Sequence, residues 1–392
     1  MNGMKGSNKD FDAVVVGAGI VGAACALACA REGLRVAVVE AGPVGGEATA
    51  AGMGHIVVMD DSEAQFALTR YSQQLWMQLA RELPAGVEYE RRGTLWIACD
   101  EEEFALAEAK FAYYRERGAA VRLLPAAALT AAEPGLRGGL AGALEVRDDA
   151  VLYAPAAANW LLERALGSQA VLFQERAVAL ESGAVRLQSG AVLCAPRIVN
   201  AAGEWAARLS PGLAIRRRKG HLAISDRYPG MLRHPLVELG YLHRAHSSDE
   251  DSVAFNVQPR ATGQILIGSS RQYVASDSGA EDSSAALTEK QVDESILGDM
   301  LRRAVSFLPG LASTSILRVW TGFRAATPDM LPYIGPSPRD PSVYLAAGHE
   351  GLGISTSLAT ARLLADSFAG RQPAISLEPY LPSRPMRGFG HA

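Results

Sequence analysis

Arg324 stands in the run RVWTGFRAATPDMLPYIG, residues 318–335, behind Trp320, Gly322 and Phe323 and ahead of Thr327, Pro328 and Asp329. Guanidinium groups are seldom set among aromatic and small apolar residues unless an anion pairs with them. Two anions would serve: a carboxylate of the protein's own Asp or Glu, or one carried by a substrate. The planar fork matches either bidentately, and the run alone does not choose.

A second constellation lies near the N-terminus. Gly17-Ala18-Gly19-Ile20-Val21-Gly22 follows the β-branched run FDAVVV and opens an alanine-rich segment that reaches about Arg31. The strand-like LRVAVVE then ends at Glu40. The first glycine permits a tight turn and the second lets backbone approach a pyrophosphate. Gly22, with the small residues behind it, lets helix and sheet pack closely. N–H groups around Ile20 and Val21 and the positive end of the helix suit phosphate oxygens. Glu40 falls where a carboxylate accepts ribose hydroxyls, which argues against a 2′-phosphate. The pattern is that of a dinucleotide cradle.

Residues 13–30 are uninterrupted apolar and follow Lys5 and Lys9, so a signal peptide or a membrane span is the competing reading. Asp10 and Asp12 stand directly before the run, glycines recur inside it, and a strand follows at once. Those features favour strand, turn and helix of a soluble domain.

Two further stretches choose FAD over NAD. Past Glu40 and Ala41, the run GPVGGEATAAGMGH offers Thr49, Ala50, Gly52 and Met53 as small or slender residues along which a ligand can lie. In the last fifth of the chain, VYLAAGHEGLGISTSLATARLLADSF reads as strand, glycine-rich turn and helix. Gly348, His349, Gly351, Leu352, Gly353 and Ile354 make that turn a second helix N-terminus for the same ligand. A ligand touched from both ends of the sequence has to be long, as FAD is.

Composition bounds the rest. With 392 residues the chain suits two or three domains; 20% charged and 48% hydrophobic residues are ordinary for a soluble globular protein. A net charge of -4 without a long basic stripe excludes nucleic acid as the expected partner. Arg216-Arg217-Arg218-Lys219 reads as the solvated start of a strand. Cys25, Cys29, Cys99 and Cys194 show neither metal-ligand spacing nor a disulfide framework. No metal site is therefore expected, and a reducing cytoplasm is. Residues 101–118 have the spacing of a surface helix, and 272–291 read as a polar loop. SVAFNV and GQILIGSS, joined by PRATG, alternate as strands of a half-solvated sheet.

With these residues in place, the chain resembles the FAD-dependent amine and D-amino-acid oxidoreductases of the DAO type, nearest to the glycine oxidase and D-hydroxyproline dehydrogenase groups. Five blocks carry the resemblance in order: VVVGAGIVGAACALA with Glu40, ATAAGMGH, APRIVNAAGEWAARL, WTGFRAATPDMLPYIG and AAGHEGLGISTSLA. It implies an α/β architecture, a Rossmann-like FAD-binding domain (GR2-type) with an inserted α+β substrate domain built on an antiparallel sheet. The implied FAD domain is discontinuous, residues 1–83, 141–212 and 326–392. The substrate domain takes 84–140 and 213–325.

The resemblance also implies roles. Asn200, Ala201 and Gly203 come close to the cofactor, and Val178 lies against the adenine or is a plain strand valine. The turn from Gly348 presents N–H groups to the flavin pyrimidine. Arg324 grips the substrate carboxylate above the flavin, which decides the opening question for the substrate. Asp329 organises the Thr327-Pro328 turn instead. Sarcosine-oxidase-like members tether flavin to a cysteine where this chain has Gly322, so non-covalent FAD is expected. Asn256 replaces a substrate-contacting tyrosine of glycine oxidase, which weakens glycine itself as the substrate. His55 either bonds a substrate hydroxyl or is structural, and His349 divides the same way. Tyr241, His243 and Phe255 are further pocket candidates.

The implied reaction is hydride transfer from the Cα of a small D-amino or imino acid to flavin N5, giving the imine. Cis-4-hydroxy-D-proline or D-proline is the expected substrate. Quinone, an electron carrier or oxygen then takes the electrons, and a quinone would place the protein at the periphery of the inner membrane. The alternatives are a glycine or sarcosine oxidase-type enzyme, or one subunit of a multi-subunit amine dehydrogenase with partner chains.

Overall fold

The computed structural model describes residues 9–240, 252–274 and 290–386. Ala13–Val16 is a fully buried run of one alanine and three valines, the composition a strand needs when both faces of its sheet are covered. It pairs in parallel with Val36–Glu40 on one side and with Ile198–Asn200 on the other. Across the six-stranded sheet the order is Tyr333–Pro336, Val343–Ala347, Ile198–Asn200, Ala13–Val16, Val36–Glu40, Ala170–Gln174. Successive connections therefore leave the central strand in opposite directions. Ligands of open parallel sheets bind outside the carboxyl ends at such a point.

Helix Ile20–Arg31 is buried on nearly every side because Gly353–Phe368 and Ala154–Leu166 both pack on it. That enclosure explains why the stretch is apolar throughout. Among the described residues no helix is long and apolar enough to cross a membrane. Cys25 and Cys29 lie inside this packing, and burial pushes the Cys29 thiol up to about 12.

The second large sheet has eight strands, in the order Ile316–Ala326, Arg216–Arg227, Gln264–Tyr273, Ser252–Pro259, Leu236–Glu238, Thr94–Ala98, Gly142–Val146, Val121–Pro125. Its pairs are antiparallel except for Leu236–Glu238 beside Thr94–Ala98. Gly142–Val146 belongs here rather than with the cofactor-binding segment expected from residue 141. A short, wholly buried apolar run carries no mark of which sheet will receive it.

One face of this sheet is covered by helix Glu294–Phe307, whose Met300, Ala304 and Phe307 are buried. Phe255 stacks on Phe307 with ring centroids 4.2 Å apart. Successive strand residues point to opposite faces, so Asn256 turns the other way. Phe255 is thus a core residue and not a wall of the pocket. Tyr241 and His243 lie outside the described residues, as do 275–289 of the expected polar loop. The 101–118 stretch is the expected surface helix, Glu101–Glu116, capped by the Asp100 carboxylate.

Candidate active site

The two sheets face each other across a cavity of about 860 Å³. One wall is the carboxyl edge of the parallel sheet, where Gly17, Glu40, Ala201 and Gly348 emerge; the other is the inward face of the eight-stranded sheet. At the first edge, Glu40 accepts hydrogen bonds from Ala18 N at 2.6 Å and Gly42 N at 2.7 Å, so its carboxylate is fixed beside the glycine turn. Gly17 has φ +103°, and a Cβ there would come within 2.5 Å of the Ala201 carbonyl oxygen. Gly22 packs beneath the turn instead of lining it: a Cβ would fall 2.0 Å from the Gly17 oxygen. Its part is the close helix packing.

Ile20, Val21, Ala41, Thr49, Gly52, Met53, Val178, Gly203, His349, Gly351, Leu352, Gly353 and Ile354 line the same cavity. Besides Gly22, two expected neighbours do not. Ala50 is exposed, because in the single turn Glu47–Ala50 it is Thr49 that points inward, accepting from Ile20 N at 3.0 Å. Asn200 is spent on the chain itself: its amide donates to Ala206 O at 3.0 Å and to Ser210 Oγ at 2.9 Å. At Gly322 a Cβ would lie 2.2 Å from the Ala51 Cβ, so a side chain long enough to tether a flavin has no room. An elongated cradle with a fixed carboxylate at one end and a helix N-terminus further along fits FAD.

Arg324 enters from the other wall. Its guanidinium lies across Gly220, where a Cβ would be 2.7 Å from both terminal nitrogens. Nη1 donates to Ser270 O at 2.9 Å and Nη2 approaches Ser269 Oγ at 3.5 Å. Glu350, from the glycine-rich turn, meets the same group of arginines. It sits 3.4 Å from Arg218 and 3.9 Å from Arg271. Burial alone would raise the Glu350 carboxyl, but Arg271, Arg324 and Arg218 outweigh it and hold it at about 2. Of the expected solvated run, then, Arg218 works at the site. Arg217 does too, pairing with buried Glu204 at 2.5 Å and lying 4.0 Å over the Phe323 ring.

The family model described as FAD dependent oxidoreductase matches residues 12–367. The chain belongs to this DAO family of FAD-dependent oxidoreductases. It is 27% identical to a glycine oxidase of Geobacillus kaustophilus over 97% of this chain and 98% of the relative. With the hydrogen cyanide synthase subunit HcnC of Pseudomonas aeruginosa it shares 29% identity over 96% of this chain and 97% of that one. The crystal structure of the Geobacillus kaustophilus glycine oxidase superposes with a TM-score of 0.84 at 25% identity, covering 97% of this chain and all (100%) of that one. Such a family makes the chain an FAD-dependent oxidoreductase, and FAD its cofactor.

In this DAO-family protein burial favours the neutral form of both cavity histidines. His55 Nε2 is 2.8 Å from Thr94 Oγ1 and His349 Nε2 is 3.0 Å from Thr360 Oγ1. Burial lowers them to about 4 and about 3. Both line the cavity, yet each ring nitrogen named is engaged with the protein. Asn256 also lines it, and its Oδ1 is enclosed without a hydrogen-bond partner. Asp329 has the structural part expected of it: Arg384 pairs with it at 2.7 Å, and it accepts from Leu331 N at 3.2 Å. Among the described residues no cluster suits a metal ion.

Sequence reasoning passed over Glu350 and Asp149. Glu350 had a legible signal, an acid inside a glycine-rich turn. Asp149 had none. It is fully buried, accepts from Gln73 Nε2 at 2.7 Å and from Val58 N at 3.2 Å, and burial raises it to about 8.

Proposed function

We propose that the protein oxidises the C–N bond of a small D-amino or imino acid to the imine, with cis-4-hydroxy-D-proline or D-proline as the substrate. The observation that carries this reading is Arg324, a guanidinium set over Gly220 on the wall facing the cofactor cradle. A fork held by the Ser270 carbonyl is oriented before the substrate arrives. A carboxylate bound there fixes the Cα relative to the cofactor, and fixed geometry supplies much of the rate. FAD supplies the two-electron acceptor for the Cα–H hydride. A hydride mechanism needs no side-chain base at Cα. The FAD would be held without a covalent bond, by Glu40 and the two glycine turns.

Residues 1–83, 141–212 and 326–392 would serve the cofactor and the remainder the substrate, with Gly142–Val146 reassigned as above. A second reading has a specific observation behind it, the 29% identity to a hydrogen cyanide synthase subunit. In that reading the chain works within a multi-subunit dehydrogenase and passes electrons to a partner or a quinone.

The test is a screen of D- and L-amino acids for anaerobic flavin bleaching, followed by turnover with an artificial electron acceptor. D-proline or its hydroxylated form should bleach the flavin, and the L-forms should not. Equal rates for both enantiomers would contradict the anchored carboxylate. Bleaching by the D-form without turnover until a partner chain is added would favour the subunit reading.

A further inference from the structure

Asn256 is out of place for its position. Strand Ser252–Pro259 sends Phe255 and Val257 to the sheet's buried core, where both are fully enclosed. On the cavity face, Asn256 is in register with Val237 on one side, and Val237 with Trp96. On its other side it pairs with Gly268. Its neighbours in that row are apolar or lack a side chain. A carboxamide there, with Oδ1 enclosed and unbonded, costs about 1–3 kcal/mol relative to a satisfied one. Exchanging the amide's O and N by rotation only moves the vacancy to the other end. A valine or leucine would fill the row without that loss.

The geometry gives the carboxamide a partner. Arg324's guanidinium bonds to Ser270 and Ser269 on strand Gln264–Tyr273, and Asn256 lies on the adjacent strand opposite Gly268. Strands are about 5 Å apart and residues along them about 3.3 Å, so the two groups stand roughly 5–8 Å apart on one wall. Gly268 has no side chain, and the space a Cβ would take there is filled by Leu222 and the Met53 sulfur, each 2.9 Å from it, so these apolar groups floor the wall between the fork and Asn256. A carboxylate on the fork therefore places the far end of a compact substrate near Asn256.

We propose that Asn256 is a specificity-determining residue that reads a hydroxyl on the substrate, at the end remote from the carboxylate. A carboxamide pairs one acceptor with donors, and a hydroxyl both gives and takes a hydrogen bond, so either amide orientation is satisfied. An ammonium group, by contrast, is matched best by an ionised acid, and none replaces Asn256 in this row. The inference rests on the amino- or imino-acid reading and refines it to a hydroxylated member of that class.

The experiment uses two ligands that contain no nitrogen and cannot be oxidised as amines, cyclopentanecarboxylate and cis-3-hydroxycyclopentanecarboxylate. Their Kd values for the holoenzyme are read from flavin difference spectra, for the wild type and for Asn256→Ala and Asn256→Val, each checked for retained FAD. The wild type should favour the hydroxylated ligand by about ten- to hundredfold. In the variants that preference should fall to within about twofold, through weaker binding of the hydroxylated ligand alone. Equal wild-type affinity for the two ligands, including none for either, overturns the proposal, as does an equal loss of both in the variants. Failure of the amino-acid reading shows separately, as an absence of flavin reduction by any amino acid while this binding pair still reports on Asn256.

Discussion

Removing the Arg324 guanidinium should abolish substrate anchoring while leaving fold and cofactor in place. In Arg324→Ala the substrate loses two charge-assisted hydrogen bonds, and such bonds are worth about 1.5–3 kcal/mol each. The pair is not additive, because one terminal nitrogen is already shared with Ser270 O. A loss of about 2–4 kcal/mol in kcat/KM follows, roughly 30- to 1000-fold. The fold should tolerate the change. Glu350 keeps Arg218 at 3.4 Å and Arg271 at 3.9 Å, so its buried carboxylate stays compensated. Arg324→Lys should recover only part of the rate, since an ammonium lacks the fork. The assay compares the acid substrate with its amide on wild type and mutant. Wild type should reject the amide strongly, and the mutant should barely distinguish them. If acid and amide suffer alike and the melting temperature drops by several degrees, Arg324 serves the protein's own acid and the reasoning fails.

Glu40→Ala should weaken FAD binding to the apoprotein by about 1.5–3 kcal/mol in a fluorescence titration, because the carboxylate also organises Ala18 N and Gly42 N; an unchanged Kd would remove Glu40 from the cradle. Acid precipitation should leave the flavin in the supernatant, and Gly322→Ala should lower FAD occupancy through its contact with Ala51; flavin in the pellet would contradict the first, full occupancy the second. Asp149 has its folded pKa raised from 3.8 to about 8, so the stability tied to its proton is present below pH 4 and lost as pH rises through 8. His55 and His349, lowered from 6.5, act in the opposite sense only below that value. Between pH 6.5 and 8 wild-type stability should therefore fall by about 1.4 kcal/mol per pH unit, and Asp149→Asn should remove most of that slope in urea melts.

Much of this site is legible in the sequence because it is local. Gly17, Gly19 and Glu40 stand within one strand-turn-helix-strand unit, and the physics that positions them acts over a few residues. The Gly348–Ile354 turn is equally local. What the sequence leaves open is whatever depends on register between distant strands. Arg218 sits opposite Arg324 only because Arg216–Arg227 pairs antiparallel with Ile316–Ala326. Neither run announces the other, so a line of basic residues read as a solvated strand start. Phe255 and Asn256 show the same limit at its smallest scale. They are neighbours in sequence, and a period of two sends one to the core and the other to the cavity. Choosing which is which requires knowing the face that helix Glu294–Phe307 covers.

The opening choice between a protein acid and a substrate carboxylate turns out not to be exclusive. Glu350 is the protein's acid, and its ion pairs within 4.0 Å among the described residues are with Arg218 and Arg271. At such distances each attraction is of order 4 kcal/mol gross in a medium of effective dielectric about 20. That is enough to hold Glu350 ionised despite burial, consistent with its value of about 2. Arg324 adds to this field, and one of its hydrogen bonds goes to the neutral Ser270 carbonyl. Glu350 meanwhile prevents three neighbouring guanidiniums from repelling one another apart. On the proposed reading the Arg324 fork and Asn256 share one wall of the cavity, and a ligand carrying both a carboxylate and a hydroxyl would satisfy the two together.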